Sequence, residues 1–393
     1  MKKKILFVLP SLDAGGAEKS LVNLLNCIDF NQYDVDLVLF KNTGIFLKQL
    51  PSKVTIIDLG GDYEVFTKCI LYSMLDFLKQ RKWSLALNRI TFTIKNKFIG
   101  PTSEQHSWKN IRRSIPTLTH EYDAAIGFLE KSSIYFTVDC VSAKKKIGFI
   151  HTDYDEQKLN KNFDANYFKK LDAVATVSEK CVSILQKNFP EQKEKMKLIY
   201  NIVSDSLIRK MAEEKISDLD ETKPIFVSIG RLIMQKGFES AIEAAVILKN
   251  KNIDFTWYII GEGALRVKLE ELVKLHNLQN HFVLLGLREN PYPYIKKATI
   301  FLQPSKYEGK SIAIDEAKIL NKPIIVTNFS TAKDQIDDNV NGLIVDMNSE
   351  SIADGIIKLL NSQSLQDKFK LNLSNEQLGS EDEIFKFYKL LDE

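Results

Sequence analysis

The feature of this 393-residue sequence that most narrows its fold is an alternation of short apolar runs with stretches of helical spacing. In the first half the runs fall at 5–9, 35–40, 54–59, 124–128, 146–150, 173–177 and 197–200. This rhythm predicts parallel-sheet α/β units with helices on both faces. It breaks at 204–223, SDSLIRKMAEEKISDLDETK, a polar and charged run that reads as a connection between domains. It then restarts with PIFVSIG, FTWYIIGEG, HFVLLG, ATIFLQPS, KPIIVTN and NGLIVD. The expected organisation is an N-terminal doubly wound domain over 1–203, a linker over 204–223 and a second doubly wound domain over 224–393. The closing EDEIFKFYKLLDE has helical spacing and reads as a last helix packed on a neighbour, the N-terminal domain being one candidate. In open sheets of this kind ligands bind beyond the carboxyl ends of the strands. Polar motifs directly after strands are therefore the ones to weigh.

Composition excludes several classes. Hydrophobic residues make up 44% and charged residues 27%, which is globular rather than disordered or fibrous, and a net charge of +3 gives no reason to expect nucleic acid as a partner. Cys27, Cys69, Cys140 and Cys181 are far apart and form no zinc-ligand spacing, so buried, reduced thiols are expected. The lysines of MKKKILFVLP imitate a secretion signal, but Pro10 stops the apolar run too early. No apolar stretch approaches the roughly 20 residues that span a bilayer. These points place the chain in a reducing cytoplasm.

Four segments carry candidate chemistry. In SIGRLIMQKG, residues 228–237, Arg231 and Lys236 lie between a strand and a helix N-terminus, where an Arg fork and a Lys point charge suit a diphosphate; a solvated basic turn is the alternative. IIGEGALR puts Gly261 and Gly263 after another strand, either as a turn near a nucleotide or as a plain turn, since Arg266 stands where a dinucleotide fingerprint needs its third glycine. PSKYEGKSIAIDEA, residues 304–317, places Glu308 just before a helix expected to start near Ser311, with Gly309 and Lys310 between them and Glu316 about 7 Å along its axis. One ligand reaching both carboxylates would offer them paired hydroxyls; otherwise they are helix-start glutamates complementing the macrodipole. LDAGGAEKSLVNLL, residues 12–25, has Gly15 and Gly16 in a strand-to-helix loop, as a backbone approach to a ligand or as a tight turn, with Glu18 and Lys19 starting the helix. His151 is the only histidine directly after a strand and is a candidate hydrogen-bonding site residue. Of two paired-aspartate runs, 34–36 precedes its strand, and a metal at 153–155 is not expected because Arg231 and Lys236 already supply positive charge.

These segments resemble the GT-B-fold, nucleotide-sugar-dependent glycosyltransferases of the GT4 family, the group 1 glycosyltransferases. The likeness covers most of the chain and rests on GGAEK, GRLIMQKG, GEG, the E-x7-E element at Glu308 and Glu316, and VTNFSTAKDQIDDNVNGLIV. It implies two Rossmann-like domains facing each other across a cleft, with the acceptor on the N-terminal side and the donor on the C-terminal side. By resemblance Arg231 and Lys236 would bind the donor diphosphate, Glu308 the donor sugar and Glu316 the ribose. Gly16 would line the cleft and His151 would approach the sugar. The family transfers with retention and usually needs no metal, so no cofactor is expected beyond a UDP- or GDP-type sugar as donor substrate. Lys310 and Ser311 replace the small apolar pair that many members carry after Glu-Gly, which leaves the donor sugar open.

Residues 63 to about 118 form an insertion rich in Lys and Arg, among them Lys79, Arg81, Lys82, Arg112 and Arg113, interleaved with Phe66, Tyr72, Phe77, Trp83, Phe92, Phe98 and Trp108. Two readings stand: a membrane-surface element, or a helical excursion with a solvated basic face and aromatic residues in its core. The function the sequence points to is a cytoplasmic retaining glycosyltransferase, peripheral on the inner face of the membrane, acting on a glycan or lipid-linked acceptor in bacterial surface polysaccharide synthesis. A nucleotide-sugar epimerase on the same fold and a non-catalytic nucleotide-sugar or membrane-binding protein are the alternatives.

Overall fold

The computed structural model describes residues 2–13, 15–98 and 102–392. They divide into two compact units: Met1–Asp13, Leu24–Ile199 and Ile384–Glu393 form the first, Ala14–Asn23 and Tyr200–Glu383 the second. Each is built on its own parallel sheet, as runs of Ile, Val, Leu and Phe buried on both faces require.

The first sheet comprises β1 (Lys3–Leu9), β2 (Tyr33–Leu39), β3 (Val54–Ile57), β4 (Glu121–Gly127), β5 (Ser142–Ile150), β6 (Ala173–Thr176) and β7 (Met196–Leu198). Their order is β3-β2-β1-β4-β5-β6-β7. The second contains β8 (Ile225–Ile229), β9 (Thr256–Ile260), β10 (Phe282–Gly286), β11 (Ile300–Gln303), β12 (Ile324–Thr327) and β13 (Leu343–Val345), in the order β10-β9-β8-β11-β12-β13. Every apolar run expected as a strand is one. In the second sheet the winding reverses between β8 and β11, which pair in parallel through Ile300 with Phe226 and Phe301 with Val227. A crevice opens at such a reversal because the connections leave in opposite directions. The loops after β8 and β11 are the ones that carry Arg231, Lys236 and Glu308.

Residues 204–223, expected as a connection, are instead part of the second unit. They contain the helix Asp205–Met211, and Ile208 and Ala212 enter a core with Phe301, Ile312 and Ile324. Charged neighbours hide this narrow apolar stripe in the sequence. The last helix, Glu383–Asp392, lies from Ile384 onward in the first unit, where Phe387 stacks on Phe7 at 5.8 Å. Not all thiols are buried: Cys140 and Cys181 are, Cys27 is half-buried and Cys69 is exposed.

The 63–118 insertion folds as helices Gly61–Thr67, Ile70–Lys79, Trp83–Phe98 and Ser103–Arg112. Residues 99–101 and the side chains of Lys97 and Phe98 lie outside the described residues. Phe66, Phe77 and Trp108 are core, whereas Leu71, Tyr72, Leu75, Trp83, Leu87 and Ile94 are exposed. The exposed apolar face is thus mostly aliphatic rather than aromatic. Several of the cations are engaged internally: Lys82 pairs with Asp62, Arg112 donates to the Ile115 carbonyl at 3.0 Å, and Arg113 donates to Asn88 Oδ1 at 2.8 Å. Lys79 and Arg81 are exposed, and their side chains have no partner among the described residues.

Candidate functional site

After β8 the chain runs through a loop that two glycines allow to pack closely. Gly261, at φ +155°, passes so near β8 that a β-carbon there would lie 1.9 Å from the Gly230 carbonyl oxygen. One at Gly263 would lie 2.5 Å from that of Leu232. The GEG turn therefore serves a backbone crossing between the β8 and β9 loops, tied by Leu232 N–H to the Glu262 carbonyl at 2.9 Å. Gly237 is left-handed at φ +66°, a conformation costly for other residues, and a β-carbon there would stand 1.9 Å from the Pro304 carbonyl oxygen. The loop after β8 is fastened to the one after β11 by the Lys306 N–H, which donates to the Gln235 carbonyl at 2.7 Å, and by Gln235 Nε2, which donates to the Tyr307 carbonyl at 2.9 Å.

This fastening brings Lys236 and Glu308 together in an ion pair of 2.6 Å. Glu308 is 6% exposed. The same oxygen accepts from Ser305 Oγ at 2.6 Å and from Gln303 Nε2 at 3.4 Å. Burial of a carboxylate at this depth requires a partner of this kind, since an unpaired buried charge is strongly unfavourable. Arg231 is exposed, and its guanidinium has no partner among the described residues. The two expected phosphate ligands are therefore differently placed, Lys236 held by a carboxylate and Arg231 free to meet a ligand.

Ser311 precedes the helix Ile312–Ile319, as expected. The cap is made by another residue: Ser311 N–H donates to Gln335 Oε1 and its carbonyl accepts from Gln335 Nε2, both at 2.8 Å. Lys310 Nζ sits 4.2 Å from the centre of the Tyr200 ring and 3.6 Å from Asp315. Glu316, 2% exposed, is paired with Lys19 and accepts from the Tyr292 hydroxyl at 3.3 Å. Burial pushes the Glu316 carboxyl above its ordinary range despite Lys19. Burial also acts most strongly on Lys19, against its charge, but the charges of Glu316 and Tyr292 outweigh it and raise the ammonium pKa. Burial, then Glu316, pushes the Tyr292 hydroxyl up to about 12.

Gly15 is crowded by its own helix start, a β-carbon there falling 2.0 Å from Glu18 Oε2, while Gly16 has open space around it. His151 follows β5 in the first unit, 8% exposed, its ring 4.9 Å from that of Phe128 and 5.8 Å from that of Phe149. Its backbone N–H donates to Glu130 at 3.2 Å. Sequence reasoning missed Lys19 as a partner of Glu316, and missed Tyr292, Gln235 and Gln335 altogether. A polar Gln303 closing the otherwise apolar β11 was the one available signal for the Glu308 network. Among the described residues no group of three or more His, Cys, Asp or Glu is placed to hold a metal, and no helix is long and apolar enough to cross a membrane.

Residues 210–375 match the family described as glycosyl transferases group 1. The chain is 29% identical over 174 residues to an uncharacterized glycosyltransferase, MJ1059, of Methanocaldococcus jannaschii, covering 43% of each. It is 28% identical over 214 residues to the N-acetylgalactosamine-N,N'-diacetylbacillosaminyl-diphospho-undecaprenol 4-alpha-N-acetylgalactosaminyltransferase of Campylobacter jejuni, covering 54% of this chain and 57% of that one. The matches thus span about half the length of these curated relatives. Among solved structures, Anabaena Alr3699/HepE in complex with UDP-glucose aligns over 99% of both chains with a TM-score of 0.71 at 15% identity. That likeness establishes the fold: two Rossmann-like α/β units of GT-B type.

Proposed function

We propose that the chain, whose residues 210–375 match the glycosyl transferases group 1, moves a sugar from a nucleotide-diphosphate donor to a hydroxyl acceptor with retention of configuration. The observation that carries this reading is the Lys236–Glu308 pair, 2.6 Å apart at the switch point of the second sheet, with Glu316 about one turn inside the helix that follows. A donor sugar hydroxyl donates to Glu308, which releases Lys236 toward the diphosphate. Arg231 joins it, and the two cations stabilise negative charge as it develops on the leaving nucleotide. Glu316 accepts from the ribose diol. Positive charge from side chains supplies what a metal would otherwise supply, so transfer proceeds without one.

The acceptor in this proposal is lipid-linked, at the inner face of a bacterial membrane. By its name the Campylobacter jejuni relative acts on a diphospho-undecaprenol-linked glycan. The exposed Leu71, Leu75, Trp83, Leu87 and Ile94, with the uncommitted cations Lys79 and Arg81, suit an anionic bilayer surface. Each such cation contributes about 1 kcal/mol near an anionic surface. Exchanging both for glutamine is expected to weaken partition onto anionic vesicles roughly thirtyfold at low salt. Serine at Leu71, Leu75, Trp83 and Leu87 weakens it further. Unchanged vesicle co-sedimentation of these variants would contradict the surface assignment.

Transfer itself is tested by supplying radiolabelled UDP- and GDP-sugars with and without lipid-linked acceptors. Label moves to lipid only when both substrates are present. Rearrangement of donor alone would instead identify an epimerase.

A further inference from the structure

Glu316 interrupts an otherwise apolar cluster that includes Tyr292, Ile295, Ile312 and Ala317. Both of its side-chain contacts, the Lys19 ammonium and the Tyr292 hydroxyl, fall on Oε1. No hydrogen bond reaches Oε2 from the described residues. Lys19 also lies over the Tyr292 ring, 4.6 Å from its centre. Lys19 lies in the part of the helix Gly16–Cys27 that belongs to the second unit, up to Asn23, and polar ties just beyond it fix that part there. Ser20 Oγ donates to Asn201 Oδ1, and Asn23 Nδ2 donates to the Ile202 carbonyl, both at 2.7 Å. These bonds hold the ammonium in place from a stretch of chain nearly 300 residues from its carboxylate.

We propose that Lys19 is a positioning residue: it keeps Glu316 ionised and occupies Oε1, so that Oε2 is left to accept a hydroxyl of a nucleoside diphosphate. The inference rests on the reading of Glu316 as the ribose-binding carboxylate. An ionised carboxylate only accepts, which is what two diol hydroxyls need; a protonated one loses an acceptor site and presents a donor instead. A carboxylate so deeply buried takes up a proton once its counter-charge is removed. The titratable groups around it are few. Lys19 and Tyr292 touch it, and Asp315 on its own helix is held by Gln335 at 2.8 Å and faces Lys310 at 3.6 Å. On the packed helices Asp205–Met211 and Gln363–Ser374, Asp205 pairs with Arg209 at 3.0 Å and Asp367 with Lys370 at 3.6 Å. Lys318 beside it pairs with Glu376 at 2.9 Å.

The test is titration calorimetry of UDP and GDP between about pH 6 and about pH 9, on the parent and on Lys19→Met, Lys19→Arg, Glu316→Gln and the Lys19→Met/Glu316→Gln double variant. A shift of one pKa unit corresponds to a tenfold change, so Lys19→Met is expected to weaken nucleotide binding about tenfold or more at neutral pH and to recover as pH rises and Glu316 deprotonates. Lys19→Arg restores the parent's flat profile over this range. A Lys19→Met affinity equal to the parent's at every pH, or a loss that pH does not relieve, overturns the proposal. If Lys19→Met does not fold, the double variant, which buries no unpaired charge, decides: its affinity matches that of Glu316→Gln alone if Lys19 acts through Glu316. A further tenfold loss would mean that Lys19 touches the nucleotide directly and would overturn the proposal. Failure of the parent to bind either nucleotide would remove the donor-site reading itself, an outcome distinct from all of these.

Discussion

Arg231→Ala is expected to lower kcat/KM by about 10²–10³-fold, the loss that follows removal of one donor aimed at developing negative charge, while leaving Tm unchanged. The unchanged Tm follows from exposure: Arg231 has no side-chain partner among the described residues, so its removal breaks nothing in the folded chain. Lys236→Ala is expected to cost a similar factor in turnover but also stability. Removing it strands Glu308, which is 6% exposed and whose 2.6 Å ion pair with Lys236 is lost. Breaking one half of a buried pair costs about 3–5 kcal/mol. Glu308→Gln separates the two effects, since it removes the charge and keeps a hydrogen-bonding side chain for Ser305 and Lys236. It should lose transfer by a comparable factor with a smaller fall in Tm than Lys236→Ala, because the amide oxygen still accepts from Lys236, whose side chain is the more exposed of the pair. Steady-state kinetics alongside thermal melts provide the readout. Near-parental turnover in a well-folded Arg231→Ala variant would remove that residue from the diphosphate site.

Gly237→Ala is expected to be one of the two most damaging single-methyl additions in the second unit, with Gly261→Ala the other. Position 237 is left-handed, and the added carbon would stand 1.9 Å from the Pro304 carbonyl oxygen, a fixed backbone atom. The conformational cost is about 1–2 kcal/mol and overpacking adds about 1–3, so a loss of about 2–5 kcal/mol is expected in urea unfolding. The loops after β8 and β11 must also part, which separates Lys236 from Glu308 and lowers turnover beyond what the fold's stability explains. Gly16→Ala is the contrast: nothing lies within 4 Å of a β-carbon there, at the first position of a helix, so stability should hold or rise slightly. Equal stability of the Gly237→Ala and Gly16→Ala variants would contradict the packing described for Gly237.

The sheets were legible because fully buried parallel strands are continuous apolar runs, and such runs stand out against amphipathic helices without any knowledge of their neighbours. The turn from β11 into the helix Ile312–Ile319 was legible for the same local reason. What the glutamates touch was not. Lys19 meets Glu316 only because the start of the Gly16–Cys27 helix packs with the second unit, a pairing between distant parts of the chain that no local pattern encodes. The helix Asp205–Met211 reads as a connection in the sequence because Ile208 and Ala212 form too narrow an apolar stripe among charges. In the 63–118 insertion, aromatic residues drew attention to the surface while three of them went to the core, and the leucines that remain outside carried no comparable signal.

Following ³¹P spectra of a panel of UDP- and GDP-sugars incubated with the protein tests the central claim most directly. One donor class should release free nucleoside diphosphate when a lipid-linked glycan acceptor is present and none when it is omitted, and Glu308→Gln should abolish that release while still binding the bare nucleotide. Parent protein that leaves every donor intact in the presence of acceptor, or that consumes a donor equally well without one, would contradict a glycosyltransferase built on Lys236, Glu308 and Glu316.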